Sequence, residues 1–515
     1  MQLETLTARL PWALPISLMM LLMAGCAGTG VDQRTGESDL PSQRDYGDSR
    51  TFPVPPEIQG NVDFWRHVYG VWSRGEVAIH DEEHIGVIYE VAKIPGPIKA
   101  GYTASQESWL KGRMDYHKRR LDDLEQRVRA DQRLAESDRE LLDKFKQAGG
   151  VGALYGASER VRAQRGVRER FRRGVEISGR YDQSFREIMR RHGVPEDLAY
   201  LPHVESSFQT NARSSVGAGG VWQFMPSTGR QYMTISGQVD ERFDPILAAD
   251  GAARYLSQAY QRLGSWPLAI TSYNHGQGGM AKARSEYGND IGRIVKNYKG
   301  PAFGFASRNF YSEFVAAREV ASHADRYFPE GVRYEEPWLH DRLVLRDSMP
   351  AHHLARHYGT SKHQLADLNL HWRDSVVKGD GHLPPGSTVW LPQGTTRRIA
   401  SHPPPVQAPV LVARVEPRAA KPLSAPARTA VAKVGPTTKP VTATSKPVTK
   451  PVIAKTKPRQ EPSQVKARYH VVKPQETLYR VAVQNGISVD ELRKLNKMRP
   501  NDNNIRPGQK LIVGI

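Results

Sequence analysis

The most informative part of the chain is residues 198–230, LAYLPHVESSFQTNARSSVGAGGVWQFMPSTGR. Apolar residues recur at steps of three before Glu205, which predicts a helix that begins near Pro195 and has one buried face. Glu205 would end this helix among aromatic residues, and a carboxyl in such surroundings tends to keep its proton near neutral pH, as a general acid must. The same pattern also fits a solvated Glu205 on a surface turn, because carboxylates are mostly exposed.

Length indicates a multidomain chain, and the positive charge has two interpretations, of which we favour a basic linker with solvated faces. A chain of 515 residues exceeds the size of one ordinary domain. The net charge of +19 fits a basic linker and solvated faces, or binding to an anionic polymer or a membrane surface. Zinc-finger spacings and RNA-binding signatures are absent from the sequence, so nucleic acid is not an expected partner. We expect neither a metal nor a cofactor, since no Cys or carboxylate completes the histidine set His352, His353 and His357.

The N-terminus predicts a lipid anchor. An apolar run from Leu10 to Met23 has the length of a signal peptide, which we assign to residues 1–25. The run ends in LMAGC and resembles a bacterial lipobox, which predicts lipidation of Cys26; an ordinary secretory signal with an incidental cysteine is the alternative. Ala27 in place of Asp favours the outer membrane, so we expect a periplasmic protein anchored there, with residues 26–56 as a flexible tether.

Residues 57–173 are predicted to form a helical N-terminal region. Ser105–Lys146 is an amphipathic helical stretch with a break near Ser137, and the Arg-rich segment Ser158–Arg191 is predicted as a second helix. The short apolar segment Ile85–Ala92 fits a helix or a strand, and periodicity does not decide between them.

A mainly helical domain is expected over residues 174–330. Ser227 and Thr228 are candidate N-caps for a helix that reaches Tyr232. Asp244, followed by proline, is predicted to cap another helix. Two further helices are predicted in this domain, over Trp266–Tyr273 and Phe310–Ala321.

The C-terminal third contains an internal repeat. Segments 340–394 and 467–515 share spaced Leu-Asn and Pro-Gly pairs, and each is predicted to form strand, helix, helix, strand. Between them, residues 395–466 are rich in Pro, Ala, Lys, Thr and Val, which is typical of a disordered, extended linker. Trp372 and Trp390 of the first copy fit either a buried core or a sugar platform, and we expect a core.

Three motifs carry a resemblance to a known family. They are VESSF (204–208), GGVWQFMPSTGR (219–230) and SYNHG (272–276), and in this order they resemble the catalytic domain of family 1 lytic transglycosylases. The repeats resemble LysM modules. The resemblance implies a multidomain fold: a mainly α catalytic domain of the goose-type lysozyme-like α+β fold, plus small βααβ LysM modules joined by a disordered Pro/Lys/Thr-rich linker.

The resemblance implies particular roles for residues. The family's catalytic Glu falls on Glu205, and substrate-binding roles fall on Ser206, Gln223, Tyr273 and Asn274, with Tyr311 as a weaker candidate. The late motif at 306–310 reads ASRNF and lacks the family's carboxylate, so no catalytic role is carried there. Tyr273 would orient Glu205 by a hydrogen bond, while the two amides would bind acetamido groups. The alternatives are a core tyrosine, a structural turn for Gln223 and a helix C-cap for Asn274.

The implied reaction needs one carboxylate instead of the usual glycosidase pair. Glu205 would cleave the β-1,4 bond between N-acetylmuramic acid and N-acetylglucosamine and form 1,6-anhydromuramoyl ends, in cell wall turnover and remodelling. Peptidoglycan strands and the membrane are the implied partners, and we expect a monomer. A hydrolytic lysozyme on the same fold and a non-catalytic peptidoglycan-binding lipoprotein are the alternatives.

Overall fold

The computed structural model describes residues 50–405 and part of the C-terminal repeat. The described residues of that repeat are 468–472, Leu478, 481–482, Asn485, Ile487, 489–498, 505–506 and 508–514. They form a separate compact unit. The predicted signal peptide, the lipidation site Cys26, most of the tether and residues 406–466 of the linker lie outside the described residues. Within the described residues, no helix is long and apolar enough to cross a membrane.

The first helix belongs to the main core. Helix α1 (Pro56–Arg66) begins with proline at its first position and continues into one wide turn, His67–Val71. Its apolar side chains share a core with helices more than a hundred residues later in the chain. The predicted boundary at residue 174 therefore does not coincide with a core boundary.

A three-stranded antiparallel sheet follows, in the order β2-β1-β3. Its first two strands are β1 (Glu76–Asp81) and β2 (Ile88–Lys93). Strand β2 covers most of Ile85–Ala92, the segment for which the sequence fits a helix or a strand. The helix predicted over Ser158–Arg191 is wrong in its first part, because Val161–Arg165 forms β3 and pairs with β1, whereas Arg168–Ser178 and Asp182–Arg191 are helical. Arginine has a high intrinsic helix propensity, but here the pairing with β1 overrides that preference.

Two long helices pack on this sheet around a second core. Helix α2 (Ala104–Arg129) begins with a capping box between Thr103 and Gln106, and α3 (Glu136–Gly149) follows it. The predicted break is confirmed, although it lies just before Ser137. The N-terminal region is thus a mixed α and β structure and not an all-helical one.

The main helical body surrounds the motif segment. Its helices are α4 (Arg168–Ser178), α5 (Asp182–Arg191), α6 (Leu201–Glu205), α7 (Pro226–Gly229), α8 (Pro245–Leu263), α9 (Trp266–His275), α10 (Gln277–Tyr287), α11 (Ile291–Asn297), α12 (Phe305–Ser322) and α13 (Ala324–Tyr327). Helix α12 is almost entirely buried and packs against α1, α6 and α9. It therefore forms the centre of the body.

Some predicted helix ends are confirmed and others are wrong. Asp244 caps α8, since its carboxylate accepts hydrogen bonds from two backbone amides at 3.0 Å. Helix α12 begins earlier than predicted, at Phe305. Ser227 and Thr228 do not cap a helix, because they lie inside the four-residue α7, which begins at Pro226.

The first repeat has the predicted strand-helix-helix-strand order and is docked on the helical body. Strands β4 (Asp341–Val344) and β7 (Thr388–Leu391) pair in antiparallel fashion. Between them lie β5 (Met349–Pro350), α14 (Ala351–His357), α15 (Lys362–Leu368), α16 (Asp374–Val377) and β6 (His382–Leu383). Helix α17 (Thr395–Arg398) follows, so the predicted start of the disordered linker at residue 395 is wrong. Trp390 is buried and donates from Nε1 to Asp244 Oδ2 at 2.5 Å. Trp372 is also buried, so both tryptophans lie in a core as expected.

The C-terminal repeat has its own small core. Strands β8 (Arg468–Val471) and β9 (Lys510–Gly514) pair in antiparallel fashion, and the helix Val489–Leu495 packs against β9. Asn496 joins the two by accepting from the Ile512 amide and donating to its carbonyl, both at 2.8 Å. Asn369 makes the same paired contact with Trp390 in the first repeat, which supports the common origin of the two folds.

Candidate active site

Glu205 ends a short helix at the wall of a cavity. A 3₁₀ turn over Glu196–Tyr200 leads into α6, and the helix cannot continue because Ser207 and Phe208 have φ values of 52° and 57°. Such left-handed backbone is costly for residues with a side chain and is concentrated at functional sites. The predicted helix near Pro195 is thus confirmed in outline, with its first turn in 3₁₀ form.

The cavity beside Glu205 has a volume of about 240 Å³. Its wall combines aromatic and polar side chains, a composition suited to a sugar ring and its substituents. The lining residues are Trp65, Val204, Glu205, Ser214, Val216, Ala218, Gln223, Met225, Tyr273, Asn274, Phe305, Ala306, Phe310 and Glu313. The structure therefore brings four of the predicted site residues, Glu205, Gln223, Tyr273 and Asn274, to one cavity.

Burial keeps the Glu205 carboxyl protonated close to neutral pH. The side chain is half-buried at the cavity wall, and desolvation raises its pKa from 4.5 to about 7. A group with this pKa can give a proton to a substrate and take one back near neutral pH. The predicted environment of a general acid is present in the structure.

A loop over residues 217–224, held by hydrogen bonds from Arg242, closes one side of the cavity. Gly220 has a φ of 79°, and an added Cβ would lie 1.7 Å from the Arg242 carbonyl oxygen, so only glycine fits there. Arg242 donates from Nη1 to the carbonyls of Gly217 and Phe224 at 2.8 and 2.9 Å. These contacts fix the loop that carries Gln223.

Gln223 both supports the loop and faces the cavity. Its Nε2 donates to the Gly220 carbonyl at 2.7 Å, and its backbone has a φ of 48°. The turn role considered from the sequence is therefore present. Its buried Oε1 has no hydrogen-bond partner among the described residues, and neither has the buried Nε1 of Trp65. Two unmatched polar atoms on residues that line the same cavity fit a ligand that supplies a donor and an acceptor.

Tyr273 and Asn274 lie near the C-terminal end of helix α9 and also line the cavity. The Tyr273 hydroxyl donates its proton to the Trp222 carbonyl at 2.9 Å, so the predicted donation to Glu205 is not made. Asn274 Oδ1 accepts from Ser307 at 2.8 Å, which leaves its amide nitrogen for a ligand. Gly276, with a φ of 89°, supplies the C-cap of α9, so Asn274 is not the cap.

Ser206 and Tyr311 lie outside the cavity wall. The Ser206 hydroxyl donates to the Val221 carbonyl at 2.8 Å and ties the Glu205 helix to the loop. The Tyr311 hydroxyl donates to the Pro53 carbonyl at 2.9 Å. Both side chains are buried, and in place of the predicted sugar contacts they hold backbone segments together.

Sequence reasoning missed a second carboxyl in the cavity. Glu313 lies on α12, is buried, and accepts a hydrogen bond from the Tyr69 hydroxyl at 3.3 Å. Burial and the nearby Glu205 charge raise its pKa to about 8. Helical spacing could have indicated it, since Ala306, Phe310 and Glu313 lie at i, i+4 and i+7 on one face. Nothing in the sequence indicated Tyr69 or Trp65 as site residues, because they lie far from Glu205 and Glu313 along the chain.

Comparison with known families assigns two domains to this chain. The transglycosylase SLT domain matches residues 183–295, and the LysM domain matches residues 470–514. The chain thus contains both domains, and the predicted fold class of a mainly helical catalytic domain with a LysM module is confirmed. The SLT match includes Glu205, Gln223, Tyr273 and Asn274 but stops before helix α12.

Two relatives show how far the similarity extends. Membrane-bound lytic murein transglycosylase D of Escherichia coli (strain K12) is 26% identical over 339 residues, which cover 63% of this chain and 61% of the relative. Membrane-bound lytic murein transglycosylase F 2 of Alkalilimnicola ehrlichii is 34% identical over 122 residues, covering 22% of this chain and 26% of the relative. The chain therefore spans less than two thirds of the length of these relatives.

Two solved structures were also matched. The 70 kDa soluble lytic transglycosylase from Escherichia coli has a TM-score of 0.23 at 15% identity, with 56% of each chain covered. An inactive mutant of lytic transglycosylase Slt from Pseudomonas aeruginosa has a TM-score of 0.24 at 19% identity, covering 28% of this chain and 24% of that one.

Proposed function

We propose that this chain is a peptidoglycan lytic transglycosylase and that Glu205 is its acid and base. The observation that carries the proposal is the Glu205 carboxyl, with a pKa of about 7, at the wall of a cavity within the SLT domain. The substrate is the β-1,4 bond between N-acetylmuramic acid and N-acetylglucosamine. The relatives are named as lytic murein transglycosylases, which supports this substrate class.

In the proposed reaction, Glu205 first gives a proton to the substrate and then takes another proton from it. Protonated Glu205 gives its proton to the glycosidic oxygen as the bond from that oxygen to C1 of the muramoyl residue breaks. The Glu205 carboxylate then takes the proton of the muramoyl C6 hydroxyl as O6 bonds to C1. The product is a 1,6-anhydro sugar, Glu205 is again protonated, and no water is consumed.

The amides at the cavity wall fit an N-acetylated sugar. An acetamido group has one N–H donor and one carbonyl acceptor. The unmatched Gln223 Oε1 can accept from the N–H, and the Asn274 amide nitrogen can donate to a carbonyl. Leaving the buried Gln223 Oε1 unpaired costs about 1–3 kcal/mol, so this atom favours N-acetylated over plain sugars.

The presence of Glu313 in the cavity makes a hydrolytic lysozyme the second candidate function. The segment around Glu205 has no evident second carboxylate, which favours a transglycosylase, but α12 brings Glu313 into the same cavity. A hydrolase needs its second carboxylate ionised to activate water or attack the sugar. Burial instead holds the pKa of Glu313 at about 8, above that of Glu205, which supports the transglycosylase.

Mass spectrometry of digestion products tests the proposal. Purified peptidoglycan is digested with the wild-type chain and with Glu205→Gln. We expect 1,6-anhydro ends from the wild type and no release from Glu205→Gln, while the variant still binds glycan. Reducing ends would instead identify the hydrolase, and no release by the wild type would support a binding lipoprotein.

The envelope is the proposed location. The LysM domain supports binding to peptidoglycan strands, and the predicted lipid on Cys26 would hold the chain at the outer membrane facing the periplasm. Both the anchor and the monomeric state are proposals. Metabolic labelling with a palmitate analogue, compared between wild type and Cys26→Ser, tests the anchor.

A further inference from the structure

The cavity contains a carboxyl contributed from outside the SLT match. Glu313 lies on α12 and lines the same cavity as Glu205, although the match ends at residue 295. Its side chain is only 7% exposed, whereas Glu205 is half-buried. The chain thus places two carboxyls at one sugar-sized cavity, and the second is the more deeply buried.

Tyr69 fixes the orientation of Glu313. The Tyr69 hydroxyl donates to Glu313 Oε2 at 3.3 Å. Its ring is held between Phe171, with ring centroids 4.8 Å apart, and Trp65, at 5.7 Å. Since Oε2 is taken by Tyr69, Oε1 is the oxygen available to a ligand in the cavity.

The arrangement favours a neutral Glu313. Within the described residues, the titratable groups that act on it are Glu205 from α6 and Tyr69 from the turn after α1. Burial raises the pKa of Tyr69 well above its ordinary value, so the hydroxyl remains a donor. The less buried carboxyl of the pair, Glu205, releases the first proton, and its negative charge then favours the protonated form of Glu313.

We propose that Glu313 is a neutral carboxylic acid that donates a hydrogen bond from Oε1 to an oxygen of the glycan bound at Glu205. Tyr69 is its positioning residue. This inference rests on the proposed function, since it takes the ligand to be an N-acetylated glycan. The acceptor is an acetamido carbonyl or a ring hydroxyl, and the Trp65 Nε1 on the same wall is a second unmatched donor for such groups.

A set of isosteric variants tests the proposal on soluble glycan strands. Glutamine keeps a neutral N–H donor and an oxygen for Tyr69, so we expect Glu313→Gln to retain kcat/KM within about 3-fold. Leucine keeps the volume and removes both, so Glu313→Leu should lose about 10- to 100-fold, the range expected for a lost hydrogen bond to substrate. Tyr69→Phe should raise KM about 3- to 10-fold and leave kcat nearly unchanged.

The pH profile gives a readout that a purely structural role would not change. For the wild type, log kcat/KM should fall with unit slope as Glu205 ionises and more steeply as Glu313 ionises. In Glu313→Gln the steeper part should disappear, because glutamine does not titrate. Thermal unfolding of each variant separates a folding defect from a binding defect, and Glu313→Gln with Tyr69→Phe decides the question if Glu313→Leu does not fold.

Two results would overturn the proposal. Wild-type activity in a folded Glu313→Leu variant would show that Oε1 binds nothing. Loss of activity in Glu313→Gln as complete as in Glu205→Gln would show that an ionised carboxylate is required. Failure of the proposed function looks different, since the wild type would then release reducing ends or no product at all, whatever residue stands at position 313.

Discussion

At the scale of single residues, the chemistry depends on how far a protein environment shifts two carboxyl groups. Glu205 and Glu313 both have raised pKa values because burial disfavours their charged forms. Each therefore has a proton available near neutral pH, which an exposed carboxylate lacks. In the proposed mechanism, Glu205 exchanges its proton because it is the less buried of the two.

The pH dependence of activity follows from Glu205. The acid step needs the protonated form, so activity should be constant below the pKa and should fall as pH rises above about 7. We expect the alkaline limb of kcat/KM on soluble glycans to begin there. A limb that begins below pH 5 would contradict the shifted pKa of Glu205.

The raised pKa of Glu205 also means that this residue lowers the stability of the folded chain at high pH. The unfolded chain releases this proton near the ordinary value of 4.5, whereas the folded chain holds it up to about 7. The free energy of unfolding therefore falls between these values as pH rises, by at most about 3 kcal/mol. Glu205→Gln does not titrate and should be more stable than the wild type at pH 8. Urea midpoints at pH 4 and pH 8 check this, and an equal difference at both would contradict it.

At the scale of secondary-structure elements, two helices far apart in sequence build one wall of the cavity. Helices α1 and α12 pack along each other, with a buried contact from Asn61 Nδ2 to Asn309 Oδ1 at 2.9 Å. This packing brings Trp65 to the cavity and Tyr69 to Glu313. The segment before residue 72 is consequently part of the active-site body.

A buried ion pair holds α1 to α12. Arg66 Nη2 lies 2.8 Å from Glu319 Oε1, and both side chains are almost fully buried. Arg66→Met leaves Glu319 buried without this charge partner and should destabilise the chain by about 3 kcal/mol or more. Chemical denaturation measures the change.

The matched control is an exposed arginine. Arg139 pairs with Glu136 on the surface of α3, with both side chains more than half exposed. Arg139→Met should change stability by about 0.5 kcal/mol or less. Equal effects of the two substitutions would show that the α1–α12 pair does not stabilise the body.

Local sequence signals predicted some elements better than others. The Asp-Pro start of α8 and the continuous apolar stretch of α9 depend on neighbouring residues, and both helices were predicted. Strand β3 depends on pairing with β1, about eighty residues earlier, and its arginines suggested a helix. The motif residues around Glu205 were predictable, but the Tyr69–Glu313 contact joins residues 244 positions apart and leaves no local pattern.

At the scale of the whole molecule, the two repeats differ in their surroundings. The first is docked on the helical body: Arg373 binds Asp240 at 3.0 Å, and Asp240 in turn binds Arg242, which holds the Gln223 loop. Its tryptophans are buried in this contact. The first repeat therefore supports the active-site loop, while the second forms its own unit.

Removal of the second repeat should separate binding from catalysis. Deletion of residues 467–515 leaves the main body and its cavity intact, because that unit has its own core. We expect weaker binding to whole sacculi and unchanged turnover of short soluble glycans. Pull-down on sacculi and kinetics on the soluble substrate check both halves, and an equal loss in both assays would contradict the separation.

The most direct test of the central claim is digestion of peptidoglycan in ¹⁸O-labelled water. If Glu205 makes the muramoyl C6 hydroxyl the nucleophile, the new ends carry no label and are lighter by one water than reducing ends. Incorporation of ¹⁸O at C1 of the released products would show that water is the nucleophile, and would contradict the transglycosylase mechanism.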